Sequence, residues 1–506
     1  MKLGELLEGL DVRRIDGDLN VGITGLSYDS RQTRPGHLYF STARDATRNR
    51  SNIEDALNRG ACAVVVDGGD GGTRRPAVTL VVSERPRLLM GAVASRFFDT
   101  PSERVDLIGI TGTSGKTTTS YILSSIFDAA GMPAGIIGTI GIFIGSKKVY
   151  SGLTTPESLD FESSLAQMER EGVNHAAAEV SSIGIAEGRV DALNFRACMF
   201  TNLGRDHLDY HGTTEDYFAA KLRLFTEILP RSRRKDTVAV VRGDDPFGQR
   251  VLEAVKGSKV SFGMDRSLDA YPGKFEASLS GIRATLSVLG KKIEIESPLI
   301  GEINLLNILG ASALSVALGV ESDAVVDGVR RCSGAPGRLE VVPAKANVTV
   351  LVDYAHKPDA LLAVLTALRG LRAGRIICVF GCGGDRDRGK RPIMGEIAGR
   401  LADIPVLTSD NPRSEDPMAI IGEVERGLIE AGRTRSDSAS ASRGYIVEPD
   451  RRNAIRIALE IAKAGDAVLI AGKGHEDYQL VAGRVLSFDD RVVVREVAAE
   501  LGRGQS

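Results

Sequence analysis

From residue 105 onward, short apolar runs alternate with longer segments whose apolar positions recur at helical spacing. The runs 105–110, 174–180 and 195–200 read as buried strands. The segments 117–130, 160–171 and 215–228 read as helices, the first two stopped by Gly131 and Gly172. The same rhythm returns nearer the C-terminus. Strands are predicted at 348–353, 375–380, 405–408 and 467–471, and helices at 358–369, 391–402, 417–431 and 451–464. Strands alternating with helices specify α/β architecture with a mostly parallel sheet. The first hundred residues carry shorter alternating segments and one clear helix-to-strand passage, 52–59 into 62–66. Thr100-Pro101 and the turn Ser333-Gly334-Ala335-Pro336-Gly337-Arg338 punctuate the pattern. They divide the chain into three expected domains, 1–104, 105–335 and 336–506, and a Ser-rich mobile loop is expected at 435–443.

A length of 506 residues suits about three domains of roughly 150 residues. The chain is 42% hydrophobic and 26% charged, the balance of a globular protein. Its net charge of −2 provides no basic field for nucleic acid or a membrane surface. Five cysteines with no CxxC pair fit reduced thiols in the cytoplasm better than a disulfide framework or a zinc site. The acidic residues near the N-terminus argue against a signal peptide, and no apolar run is long enough for a membrane span. A cytoplasmic monomer with no nucleic-acid or membrane partner is expected.

Residues 108–119 read Ile-Gly-Ile-Thr-Gly-Thr-Ser-Gly-Lys-Thr-Thr-Thr, an apolar strand entering a Gly-rich turn and then a helix. Such a turn presents backbone N–H groups and the positive end of a helix dipole to a phosphate. Lys116 adds a full charge for a β- or γ-phosphate, and the Thr117 hydroxyl is placed to hold Mg²⁺. Ile110 stands where the strict P-loop pattern has Gly, so the motif is the variant Thr-Gly-Thr-x-Gly-Lys-Thr. An ordinary strand-to-helix turn explains the glycines but gives the Lys-Thr pair no role.

Two more constellations lie in the central block. Glu179 ends an apolar run and is either a Mg²⁺ ligand or a buried, paired structural group. Thr201-Asn202-Leu203-Gly204-Arg205-Asp206-His207-Leu208-Asp209-Tyr210-His211-Gly212-Thr213 follows a strand and precedes a helix. It resembles a zinc site in composition but lacks Cys or HExxH partners. Metal-assisted phosphate chemistry is the reading kept, with a solvated turn as its competitor. Lys221, taken alone, is a helix-surface lysine. In the last block the unusual residues follow strands: Asp353-Tyr354-Ala355-His356, Gly381 to Asp387, Ser409-Asp410-Asn411-Pro412-Arg413, and Gly472-Lys473-Gly474-His475-Glu476. Ligands of open α/β sheets bind beyond the carboxyl ends of strands, so these loops are expected to form one site.

Taken together, these motifs resemble the Mur ligases, the ATP-dependent amide-forming enzymes of peptidoglycan synthesis, over nearly the whole chain. The resemblance rests on Thr111 to Thr117, Thr201 to Thr213, Asn304 with Asn307, Pro336-Gly337-Arg338 and Asp353 to His356. It implies a small N-terminal α/β domain binding UDP, a central P-loop-type ATP-binding domain, and a C-terminal Rossmann-like domain binding an amino acid. ATP contacts are implied for Gly112, Thr113, Ser114, Gly115, Lys116, Thr117, Thr118, Asn304, Asn307, Arg338, Asp353 and His356. Lys116, Glu179, His207 and Lys221 are the implied catalytic set. Thr117, Glu179, His207 and a carbamylated Lys221 are the implied Mg²⁺ ligands. Asp29-Ser30-Arg31 before Pro35-Gly36 resembles a uridine-binding loop. Ser30, Thr154, Thr155, Ser181, Ser182, Glu187 and Arg189 are the implied contacts to UDP-MurNAc-L-Ala-D-Glu.

Asp410-Asn411-Pro412-Arg413 resembles the motif of members that add meso-diaminopimelate, with Arg386, Gly472 and Glu476 as further implied contacts. A guanidinium can pair a distal carboxylate through two parallel hydrogen bonds, and lysine lacks that carboxylate. The implied reaction phosphorylates the D-Glu γ-carboxylate and then lets the diaminopimelate amine attack the acyl phosphate. A lysine-adding or divergent ligase, and a non-catalytic nucleotide-binding regulator, are the competing expectations. Ile183 stands where the family usually has His, and Glu187 where Gln is common. Asp45-Ala46-Thr47-Arg48-Asn49-Arg50 replaces the usual Asp-Gly-His.

Overall fold

The computed structural model describes residues 1–503 apart from 44, 69–74, 76, 146, 151, 345, 372–373 and 437–443. Most of the loop expected at 435–443 therefore lies outside the described residues. Three large sheets carry the fold. In the first, the strand Ala63–Val66 is buried at every position because both faces are covered. Ala63 and Val65 join Leu38, Phe40, Val81 and the helix side chains Leu89, Met90 and Val93. Val64 and Val66 face the other way, onto Tyr39, Leu80, Ile53, Ala56 and Leu57.

The second sheet has eleven strands, seven of which lie side by side in parallel. Its centre is the strand Asp106–Thr111, between Phe195–Phe200 and His175–Glu179. The third sheet has seven strands, with a parallel centre built from Thr349–Asp353, Ala467–Ala471, Ile376–Phe380 and Ile404–Leu407. Buried clusters cover both its faces, one around Leu365, Phe380 and Leu428, the other around Val352, Ile455 and Val494. The α/β class read from the sequence is the architecture observed.

The chain forms two compact units. One holds 1–272, 286–293 and 307–328, and the other holds 273–285, 294–306 and 329–506. The division passes through the helix Glu302–Ala317, leaving Asn304 in the second unit and Asn307 in the first.

Some elements depart from the pattern reading. The helix expected over 215–228 is α-helical only over Thr214–Arg223 and widens to a π-turn at Leu224–Ile228. Pro230 follows, and its ring nitrogen cannot donate back to the preceding turn. The helix expected over 451–464 stops at Ile461, where the Asp466 carboxylate accepts the Lys463 N–H at 2.8 Å and draws the chain out of the helix. A hairpin, Tyr478–Val481 with Arg484–Ser487, has no counterpart in the pattern reading. It buries neither face fully, so it shows no apolar alternation.

Candidate active site

Register brings the chemistry to one edge of the central sheet. Ile110 pairs with Glu179, and Thr111 pairs with Phe200. The Gly-rich turn, the Glu179 segment and Thr201-Asn202 therefore leave the carboxyl ends of three adjacent strands together. Gly112 has φ 143° and Gly115 has φ 89°. A Cβ on Gly112 would lie 2.0 Å from Thr201 Oγ1, and one on Gly115 would lie 2.5 Å from Asn307 Oδ1, so only glycine fits at either place. Asn202 Oδ1 accepts the Ser114 N–H at 3.0 Å, and Thr201 Oγ1 donates to Ser114 O at 2.7 Å. Lys116 curls back over the turn, its Nζ donating to the carbonyls of Gly112 at 2.7 Å and Thr113 at 2.9 Å. Thr118 follows on the buried first turn of the helix Lys116–Ala129.

Glu179 is 1% exposed and fully engaged. Its Oε2 accepts Thr117 Oγ1 at 2.9 Å and Thr139 Oγ1 at 3.0 Å, and its Oε1 accepts the Thr139 N–H at 2.8 Å. Gly138 makes room for this, since a Cβ there would lie 2.2 Å from Glu179 Oε1. Glu179 is therefore both buried and paired. The pairing sets its carboxylate against the Thr117 hydroxyl, two oxygen donors of the kind a hard cation takes.

Lys221 is not a surface lysine. It is 1% exposed, with Nζ donating to Gly112 O at 3.0 Å and lying 4.7 Å above the Tyr217 ring. Burial, reinforced by the nearby Lys116 charge, holds its pKa well below that of a free lysine, with Asp206 opposing. The Tyr217 hydroxyl reaches Thr113 Oγ1 at 3.1 Å. His207 has φ 52° and sits 3.6 Å from Asp206, while His211 Nε2 bonds Ser182 Oγ at 2.9 Å. Among the described residues no three His, Cys, Asp or Glu gather as a metal group.

Thr154, Thr155, Ser181 and Ser182 line the same edge. Thr155 Oγ1 donates to the Glu179 carbonyl at 2.9 Å and accepts the Ser181 N–H at 2.9 Å, and Thr154 Oγ1 is 3.1 Å from Thr139 Oγ1. Arg189 donates to Thr155 O at 3.0 Å and to Glu187 at 2.5 Å. Ser30 is buried in the short turn Ser30–Gln32 of the first sheet, capped by Asp29.

The second unit holds the remaining candidates. Asp353 pairs with Ala471, and Phe380 with Leu407, so the loops after these strands share an edge. Asp353 accepts the N–H groups of Leu339 at 2.7 Å and Ala355 at 2.9 Å. Burial pushes its carboxyl up, with Arg338 opposing. Arg338 stacks 4.9 Å from the Tyr354 ring. Burial takes His356 down to about 4, so its imidazole is neutral at neutral pH.

Gly472, at φ 121°, leaves room for the Asp410 carboxylate, which a Cβ would meet at 2.4 Å. Asn411 donates to Glu476 at 2.8 Å. Arg413, itself at φ 54°, donates from Nη1 to Gly384 O at 2.8 Å. Pro412 closes against the same Gly384, where a Cβ would lie 1.9 Å from its carbonyl oxygen. Arg386 is exposed, its Nη1 3.3 Å from Asp385 O.

Sequence reasoning passed over Thr139, which ties Glu179 down, and Lys473, which is fully buried between Asn411 Oδ1 and Glu476 Oε2 at 3.2 Å each. Lys473 was visible as a lysine in a Gly-rich loop. Thr139 carried no signal beyond its distance in space.

A Gly-rich strand-to-helix turn with Lys and Thr, set beside a buried carboxylate at the carboxyl edge of a parallel sheet, defines a nucleotide-phosphate-binding α/β protein. The Mur ligase middle domain model matches residues 110–315, and the Mur ligase glutamate ligase domain model matches 337–474. The chain belongs to the Mur ligase family. It is 42% identical over 97% of both chains to the UDP-N-acetylmuramoyl-L-alanyl-D-glutamate--2,6-diaminopimelate ligase of Geobacter sulfurreducens. A solved structure of a ligase of that name matches at TM-score 0.71 and 32% identity, covering 99% of each chain. The MurF ligase of Thermotoga maritima in complex with ADP matches at TM-score 0.60 and 18% identity, covering 97% of this chain and 99% of that one, a likeness of fold.

Proposed function

We propose that this chain is an ATP-dependent ligase. It adds meso-2,6-diaminopimelate to the D-Glu γ-carboxylate of UDP-MurNAc-L-Ala-D-Glu through an acyl phosphate, in cytoplasmic peptidoglycan precursor synthesis. The observation that carries this reading is full-length similarity, at 42% identity, to a ligase named for that substrate and amino acid. In this reading residues 1–104 take the UDP moiety, 105–335 take ATP and 336–506 take the amino acid.

The turn 112–115 and Lys116 cradle the phosphates, and Lys116 exchanges its loop carbonyls for phosphate oxygens. The adjacent Thr117 hydroxyl and Glu179 carboxylate fit a hard cation and, with His207 and carbamylated Lys221, would hold Mg²⁺. Bound there, Mg²⁺ supplies charge neutralisation for the triphosphate. The depressed basicity of Lys221 supports its modification, since a neutral amine adds CO₂, forming an N–C bond and releasing a proton. Arg413, anchored by Gly384 O, takes the distal carboxylate of diaminopimelate, and Glu476, braced by the Asn411 amide, takes its ammonium.

The test is phosphate release from ATP and Mg²⁺ with UDP-MurNAc-L-Ala-D-Glu, comparing meso-diaminopimelate with L-lysine. Release with diaminopimelate alone is expected. Release with lysine alone overturns the role of Arg413, and release with neither overturns the ligase reading.

A further inference from the structure

Four charged side chains meet where the helix Pro86–Phe97 packs on the helix Ser158–Arg170. Glu187 Oε2 is 2.5 Å from Arg189 Nη2 and 2.7 Å from Arg87 Nη1. Glu157 lies 3.3 Å from Arg189 Nε and 3.4 Å from Arg87 Nε. The side chains of Arg189, Glu157 and Glu187 are 9%, 8% and 12% exposed, so their charges must balance locally. Two guanidinium groups and two carboxylates do balance. Burial pushes the Glu157 carboxyl up, and Arg189 and Arg87 oppose it. From this cluster Arg189 reaches Thr155 O, and the Thr155 hydroxyl bridges to the Glu179 carbonyl.

We propose that Arg87 is a positioning residue for the nucleotide-sugar peptide, acting through Glu187 and Arg189. This rests on the function proposed above. Arg87 comes from the helix beside the first sheet and touches no reacting group. Its work is to share both carboxylates, so that Arg189 is held on Thr155 without a surplus negative charge beside an anionic substrate. Remove Arg87 and the cluster carries one net negative charge, with two carboxylates competing for one guanidinium.

The test measures kcat and KM for all three substrates in wild type, Arg87→Met, Arg87→Lys and the double variant Arg87→Met/Glu157→Gln. Arg87→Met is expected to raise KM for UDP-MurNAc-L-Ala-D-Glu about tenfold, with the KM for ATP and kcat unchanged. Arg87→Lys retains most of the function. The double variant recovers because Glu157→Gln removes the uncompensated charge and leaves Glu187 to Arg189. A wild-type KM in Arg87→Met overturns the proposal and leaves the ligase reading intact. So does a double variant no better than the single one, or a loss of kcat across all substrates, which marks structural damage. A wild-type chain that turns over none of the three substrates overturns the function itself, and this role with it.

Discussion

Glu162 is 0% exposed in the middle of the helix Ser158–Arg170, and burial drives its carboxyl up to about 8, with Ser95 opposing. The folded state therefore keeps a proton that an unfolded glutamate gives up near its ordinary value of 4.5. Between these values the folded chain binds more protons than the unfolded one, so stability falls as pH rises across that window. Below it Glu162 costs little, and above about 8 the cost is complete. The neutral isostere should escape this penalty. Glu162→Gln is expected to melt above wild type by a margin that widens from pH 5 to pH 8, by roughly several degrees at the upper end. Melting temperatures of both proteins across that range check it, and a constant margin would show that Glu162 is not titrating. At this scale the phosphate-loop residues were legible because Lys-Thr after a Gly-rich turn has few other uses. Lys221 was legible only through the family resemblance, since nothing in Ala219-Ala220-Lys221 says that Tyr217 and Gly112 will enclose it.

The helices Lys390–Leu401 and Pro417–Glu430 approach through two glycines. A Cβ on Gly427 would lie 1.8 Å from Pro392 O, and one on Gly395 would lie 2.1 Å from Val424 O. Both obstacles are backbone, so a side chain at either place must push the helices apart. Gly422, on the same helix as Gly427, has open space around its Cβ position. Gly427→Ala is expected to destabilise by about 2 kcal/mol or more through overpacking, while Gly422→Ala stabilises by about 0.5–1 kcal/mol through helix propensity. Urea midpoints of the two variants check this pair, and matching effects would rule out the close approach. Element existence was readable where period and burial agreed, as for Phe195–Phe200 and Ala467–Ala471. Element ends were set by local side-chain bonds, such as that from Asp466 to the Lys463 N–H, which periodicity does not register.

Each compact unit has its own apolar clusters. One unit holds the cluster around Phe161, Phe195 and Phe225, and the other holds the cluster around Leu365, Phe380 and Leu428. A chain with separate cores is not expected to unfold as one cooperative step. Calorimetry should give an enthalpy larger than the van't Hoff value from the same transition, and equal values would show a single cooperative unit. Among the described residues no helix is long and apolar enough to cross a membrane.

The sequence by itself determined the α/β alternation, the phosphate loop and the family. These depend on neighbouring residues, whose spacing is the same folded or unfolded. Only the tertiary structure decided that Glu179 is clasped by Thr117 and Thr139, that Lys221 is buried beside Lys116, and that Arg87 balances Glu187. Those pairings join residues tens of positions apart; register within a parallel sheet brings Glu179 to Thr117, and the packing of helices brings Lys221 to Lys116 and Arg87 to Glu187, neither of which a local pattern shows.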